Sequence, residues 1–100
     1  MKRQAVVTNP KDNIAIAVVD ITAGTKVNVE LEGNALEVIV AEDVLFGHKF
    51  AIKDIPKGED VVKYGESIGG ATENISEGRH VHVQNVESKR GRGDWEKEGE

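Results

Sequence analysis

The stretch Val27-Asn28-Val29-Glu30-Leu31-Glu32-Gly33-Asn34-Ala35-Leu36-Glu37-Val38-Ile39-Val40 alternates apolar and polar residues on either side of a Gly-Asn pair. Successive strand side chains point to opposite faces, so Val27, Val29 and Leu31 share one face, as do Leu36, Val38 and Val40. A two-residue loop with Gly33 first suits a type II′ hairpin turn. The predicted register pairs Leu31 with Leu36, Val29 with Val38 and Val27 with Val40, all six on one buried face. It also sets Glu30 opposite Glu37, which only a solvated outer face tolerates.

A short turn recurs around this hairpin. It reads Asp20-Ile21-Thr22-Ala23-Gly24, Asp54-Ile55-Pro56-Lys57-Gly58 and Asn74-Ile75-Ser76-Glu77-Gly78, with a looser copy in Asp43-Val44-Leu45-Phe46-Gly47. Three positions after each glycine stands an apolar residue: Val27, Val61, Val81 and Phe50. The motif reads as a one-turn connector in which Asp or Asn caps the turn, Ile or Val plugs into the core, and Gly takes a left-handed conformation. The copies are irregularly spaced, so they do not make a solenoid. Further strands are predicted at 4–8, 15–19, 48–53, 60–62 and 80–86, with glycines bending the backbone across 63–70. No segment carries a long helical apolar stripe, and the fold class is mainly β.

One hundred residues make one domain, expected over 1–86. The tail over 87–100 is charged around the single apolar Trp95, and is expected to be flexible or to dock on a partner. Val and Ile must build the core, because aromatics are few. No cysteine is present, which excludes disulfides, thiolate metal sites and a cysteine nucleophile. A net charge of −5 argues against nucleic-acid binding. The longest apolar run, 14–19, is too short to span a membrane, and no secretion signal is visible, so the expected compartment is the cytoplasm.

All three histidines lie between residues 48 and 82. His80-Val81-His82 on a strand would set two imidazoles on one face, roughly 6.5–7 Å apart at Cα. Val81 and Val83 would then face the core while His80, His82 and Gln84 face away. Three readings stay open for the pair: an ordinary polar face, metal ligation, and substrate contact or proton transfer. Metal ligation lacks a third ligand on this strand, and nothing in the sequence shows that His48 converges on it. His48-Lys49 follows the Gly47 turn. Lys63-Tyr64-Gly65-Glu66-Ser67-Ile68-Gly69-Gly70 has neither a nucleotide-binding pattern nor a following helix. There Lys63 could neutralise a carboxylate and Tyr64 could exchange a proton, while Ser67 has no partner that would make it a nucleophile.

The run from Gly47-His48-Lys49-Phe50 through Asp54-Ile55-Pro56-Lys57-Gly58 resembles the N-terminal SAF-type domain of the altronate and galactarate dehydratase family. So do Val62-Lys63-Tyr64-Gly65-Glu66-Ser67-Ile68-Gly69, Ala71-Thr72, Ile75, Gly78 and His80-Val81-His82. The resemblance is dense over 43–86 and looser over 5–42. It implies a SAF-type β-clip fold of short strands and hairpins with one-turn 3-10 connectors. It also implies dehydration of a sugar acid, converting an aldonate to a 2-keto-3-deoxy acid, and iron or another divalent metal held mainly by a large second part of the enzyme. That part is encoded separately in some organisms, and this chain has the length of the small subunit. Sulfolactate sulfo-lyase has a similar small subunit and eliminates sulfite instead of water. Many relatives carry another histidine where this chain has Gln84, which weakens a three-histidine site on the strand itself.

The resulting expectation is the small subunit of an altronate dehydratase-type hydro-lyase, inactive alone and working with a large dehydratase subunit on a small anionic sugar acid. His80, His82 and Tyr64 are the expected catalytic residues, and His48, Lys49, Lys63 and Asn85 the expected substrate contacts. No metal ligand is assigned. A homo-oligomer is also expected, with neither nucleic acid nor membrane as a partner. The alternatives are a sulfolactate sulfo-lyase small subunit and a noncatalytic ligand-binding or oligomerisation module.

Overall fold

The computed structural model describes residues 4–31 and 33–87. Their strands are β1 (Ala5–Val6), β2 (Ile14–Ala17), β3 (Lys26–Leu31), β4 (Asn34–Ile39), β5 (Lys49–Ala51), β6 (Asp60–Lys63), β7 (Glu66–Ala71), β8 (His80–Val81) and β9 (Val86–Glu87). They form three antiparallel sheets, ordered β1-β2-β5-β8, β3-β4 and β6-β7-β9, and the described residues contain no helix. Among the described residues no helix is therefore long and apolar enough to cross a membrane. The mainly β expectation stands.

The β1-β2-β5-β8 sheet runs through the middle of two cores. Alternation along β2 and β5 sends Ala15, Ala17, Phe50 and Ile52 to one side, where they meet Val27, Val29, Val38 and Val40 of the hairpin. Ile14 and Ala51 face the other side with Val61, Ala71 and Val81. Each core also takes two connector plugs, Ile21 and Val44 in the first and Ile55 and Ile75 in the second. The apolar residues three positions after the glycines, Val27, Phe50, Val61 and Val81, are all completely buried.

All four connectors share one geometry. Each closes an i→i+3 hydrogen bond, Thr25 N–H to Thr22 O, His48 to Leu45, Glu59 to Pro56 and Arg79 to Ser76. Its glycine stands third, at φ between 86° and 91°, which makes a type II turn and not the expected 3-10 turn. The capping also differs from expectation, because no Asx caps its own turn. Asp43 accepts from Ala23 N–H while Asp20 accepts from Phe46 N–H, both at 2.8 Å. Asn74 and Asp54 exchange bonds with Lys57 and Glu77 in the same way, at 2.8 and 2.9 Å. The reason is the pairing of connectors through bridges Ile21–Val44 and Ile55–Ile75, which bring each carboxylate or amide over the opposite turn.

The hairpin forms, but its register is shifted. Leu31 pairs with Asn34, Val29 with Leu36 and Val27 with Val38. A shift of two residues keeps every apolar side chain on its predicted face, so alternation alone does not choose between the registers. Charge does. The observed pairing puts Asn28 opposite Glu37 and Ala35 opposite Glu30, which removes the Glu–Glu pair. Gly33 becomes the second loop position, at φ 79°.

Two other expectations are corrected. The segment 66–71 is strand β7, not a bend, because Gly69 and Gly70 are buried there beside β9. The predicted strand over 80–86 ends after Val81: residues 82–85 form a turn closed by Asn85 N–H to His82 O, and Val83 is exposed instead of packed in the core. The expected tail lies outside the described residues from 88 onward, Trp95 included.

Candidate functional site

The β5–β8 pairing builds the site. Lys49 pairs with Val81 and Phe50 with His80, and beyond the last pair the rings of His48 and His82 still meet, with centroids 4.9 Å apart. Alternation then puts His48, Phe50, His80 and His82 on one face of the pair. Phe50 fills the core beneath, and the imidazoles remain half-buried at the sheet end. The rings stack nearly parallel, with centroids 4.9–5.6 Å apart. The third histidine missing from the strand is thus supplied by His48, the residue just before β5.

His48 Nδ1 lies 2.9 Å from His80 Nε2. Two imidazole nitrogens at that distance need a single proton between them, or another electrophile in its place. The amide of Gln84 stands 3.3 Å from His80 Nδ1, so both nitrogens of that ring are engaged. One nitrogen from each of the three rings lies within 4.8 Å of the others, a spacing that could hold a metal ion. Burial pushes the His80 pKa down, and the charges of His48, His82 and Lys49 push it the same way, against Glu42. That lowering favours the neutral imidazole, which can act as a base or a ligand once one of these two contacts is given up.

Glu42 fixes this strand end, a role the sequence did not reveal. Its Oε2 accepts from Arg79 Nε and from the His80 backbone N–H, each at 3.0 Å. Burial raises its pKa, but the Arg79 and His80 hydrogen bonds and the Arg79 charge outweigh that, and the net shift is downward. No local pattern marks Glu42, because its partners lie far along the chain.

Lys49 stands beside the triad, and Lys63 stands close enough to Lys49 for its charge to be felt there. Lys49 and His82 line a cavity of about 270 Å³ together with Ile68, Val83 and Val86. Burial, and then the charge of Lys63, lower the Lys49 pKa. Two ammonium groups therefore share a local field on a chain whose total charge is negative. Tyr64 packs under Lys63, whose Nζ sits 5.0 Å from the ring centroid, and its ring is not part of the triad.

Tyr64 is held in a strained turn. Tyr64 and Gly65, both at positive φ (56° and 77°), form a type I′ loop between Lys63 and Glu66. Asp12, completely buried, holds it: its carboxylate accepts from Gly65 N–H at 2.8 Å, Tyr64 N–H at 3.2 Å and the Thr8 hydroxyl at 2.8 Å. Asn85 is not at the site surface. It is fully buried, donates through Nδ2 to His80 O and accepts through Oδ1 from His82 N–H. Its amide shapes the turn that delivers His82.

Of the expected residues, the structure joins His48, His80 and His82, sets Lys49 beside them and Lys63 near Lys49, and leaves Tyr64 with Lys63. Residues 3–89 match the profile described as "Altronate/galactarate dehydratase SAF domain". Altronate dehydratase of Escherichia coli (strain K12) is 45% identical over 75 residues, which is 75% of this chain and 14% of that protein. The (2R)-sulfolactate sulfo-lyase subunit alpha of Chromohalobacter salexigens is 36% identical over 88 residues, 85% of this chain and 94% of the relative. Galactarate dehydratase (L-threo-forming) of Escherichia coli (strain K12) is 41% identical over 72 residues, 70% of this chain and 12% of that protein. The chain thus spans about a seventh of the altronate dehydratase it matches and nearly all of the sulfo-lyase subunit. It belongs to the altronate/galactarate dehydratase SAF domain family.

Proposed function

We propose that this chain is the small subunit of a cytoplasmic sugar-acid dehydratase and acts with a separate large catalytic subunit. The observation that carries the reading is the convergence of three imidazoles at one sheet end beside the Lys49 ammonium, which in turn feels the charge of Lys63. Dehydration of an aldonate removes the proton alpha to the carboxylate and the neighbouring hydroxyl, and the resulting enol becomes a 2-keto-3-deoxy acid. Lys49 and Lys63 offset the substrate carboxylate and the negative charge that grows on it as the α-proton leaves. His80, whose lowered pKa favours the neutral form, accepts a proton at the nitrogen that Gln84 gives up, and His82, facing the cavity, returns one to the departing hydroxyl. The half-exposed site calls for the large subunit to close over it and exclude water.

The length match to the sulfo-lyase subunit supports a second reading, in which sulfite leaves in place of water. One experiment separates them. The chain is combined with its large subunit and supplied with altronate or (2R)-sulfolactate, and keto-acid and sulfite release are followed. The dehydratase reading expects keto acid from the aldonate, lost when His80 and His82 become alanine. Sulfite release selects the second reading, and full activity of the large subunit alone reduces this chain to a noncatalytic module.

A further inference from the structure

We propose that His48, His80 and His82 form a divalent transition-metal site carried entirely by this chain, with Gln84 positioning His80. The inference goes beyond the dehydratase reading and does not depend on which group leaves; with an ion bound, His80 and His82 would serve as ligands in place of the proton transfers given to them above. Three observations carry it.

The chain has three histidines, and all three meet at one point although 32 residues separate His48 from His80. Ligands about 2.0–2.1 Å from one ion at tetrahedral or right angles stand roughly 3–3.4 Å apart. The His48–His80 pair is already at 2.9 Å, and the complete set lies within 4.8 Å, inside the reach of side-chain rotation.

The surroundings are those of an open site. Glu42 is occupied by Arg79 and by the His80 backbone, so it holds the ligand strand and does not cap the ion. His82 opens onto the cavity with Lys49, which leaves coordination positions for a substrate oxygen or water. Three protein ligands with open positions are characteristic of catalytic metal centres. All-nitrogen ligation selects zinc, nickel, cobalt, copper or iron(II) over magnesium and calcium, which take oxygen ligands.

Gln84 explains how the triad passes from a hydrogen-bonded cluster to a ligand set. With its Nε2 toward His80 Nδ1, the amide donates, and His80 carries its proton on Nε2 toward His48. Rotating the amide by 180° presents Oε1, which accepts from Nδ1–H and frees the Nε2 lone pair for a metal. Fixing the tautomer of a ligating imidazole is the usual role of such an outer partner.

The test uses the untagged, metal-free full chain. Cobalt(II) is titrated in and followed by visible absorption, zinc(II) by competition calorimetry, and the three imidazoles by NMR. The expected result is one equivalent per chain, displacement of cobalt by zinc, and all three imidazole signals moving together. His48→Ala and His82→Ala should each weaken binding by at least about 100-fold. Gln84→Ala should weaken it by about 10–100-fold, Gln84→Glu should restore it, and thermal unfolding of the metal-free protein should not change. The proposal is overturned if wild-type protein takes up no stoichiometric metal, if metal binds while the imidazole signals stay still, or if His48→Ala binds like wild type. The wild-type NMR result needs no variant, so a variant that fails to fold leaves the test intact.

Discussion

Asp12 offers the sharpest test of how the Lys63-Tyr64 loop is held. Its buried carboxylate accepts three hydrogen bonds, two of them from a turn more than fifty residues away. Hydrogen bonds to a charged group contribute about 1.5–3 kcal/mol each, which bounds the loss in Asp12→Ala at about 4–9 kcal/mol. Tyr64 is 60% exposed, so its loop recovers much of that from water once released. The expected loss is therefore about 3 kcal/mol, and about half as much in Asp12→Asn, which keeps one carbonyl acceptor. Urea unfolding followed by circular dichroism measures it, with the midpoint moving down at an unchanged slope. The His48, His80 and His82 signals should not move, because Asp12 bonds to the Tyr64 turn and to Thr8. A loss below about 1 kcal/mol, or equal losses in the two variants, would refute the argument that the carboxylate charge holds the turn.

The remaining predictions concern backbone strain and pH. Tyr64→Asn should raise stability by about 1 kcal/mol in the same urea assay, because asparagine tolerates φ 56° better than tyrosine. Gly58→Ala and Gly78→Ala, at φ 90° and 91°, should both destabilise, but unequally. A Cβ at Gly58 meets open space and costs about 1–2 kcal/mol, whereas one at Gly78 runs into the Ile39 carbonyl and should cost clearly more by thermal denaturation. His80 has a pKa lowered by folding, so between its folded and ordinary values the unfolded chain holds a proton that the folded chain lacks. Its contribution to stability therefore falls as pH drops from the ordinary histidine range through that lower value. NMR titration of the metal-free protein should find His80 titrating below a free imidazole.

Much of the fold was legible because it follows from short-range rules. Alternation marks β3 and β4, and an Asx-apolar-x-x-Gly pattern marks the four connectors with the residues they bury. What failed depends on distant partners. The hairpin register preserves parity under a two-residue slip, so only the facing charges of Glu30 and Glu37 discriminate. Gly69 and Gly70 read as a bend because their burial beneath β9 is set by a segment that follows much later. The strand through His82 breaks because Asn85 turns its amide back onto His80 and His82. The histidine pair was visible, and the third ligand was not, because only the β5–β8 pairing brings His48 across.

The exchanged caps of the connectors bear on how the molecule folds. A turn that caps itself can persist as a local nucleus, but Ala23 N–H finds its acceptor only when Asp43 arrives, and Phe46 N–H only when Asp20 does. The same dependence ties Lys57 to Asn74 and Glu77 to Asp54. Each pair closes together or not at all, so the contacts that end the strands are also non-local ones, which slow folding and sharpen its cooperativity. Amide exchange should accordingly report two units, with Ala23 and Phe46 opening in concert in one and Lys57 and Glu77 in the other. The histidine triad draws His48 from the first unit and His80 from the second, so it assembles only after both have closed.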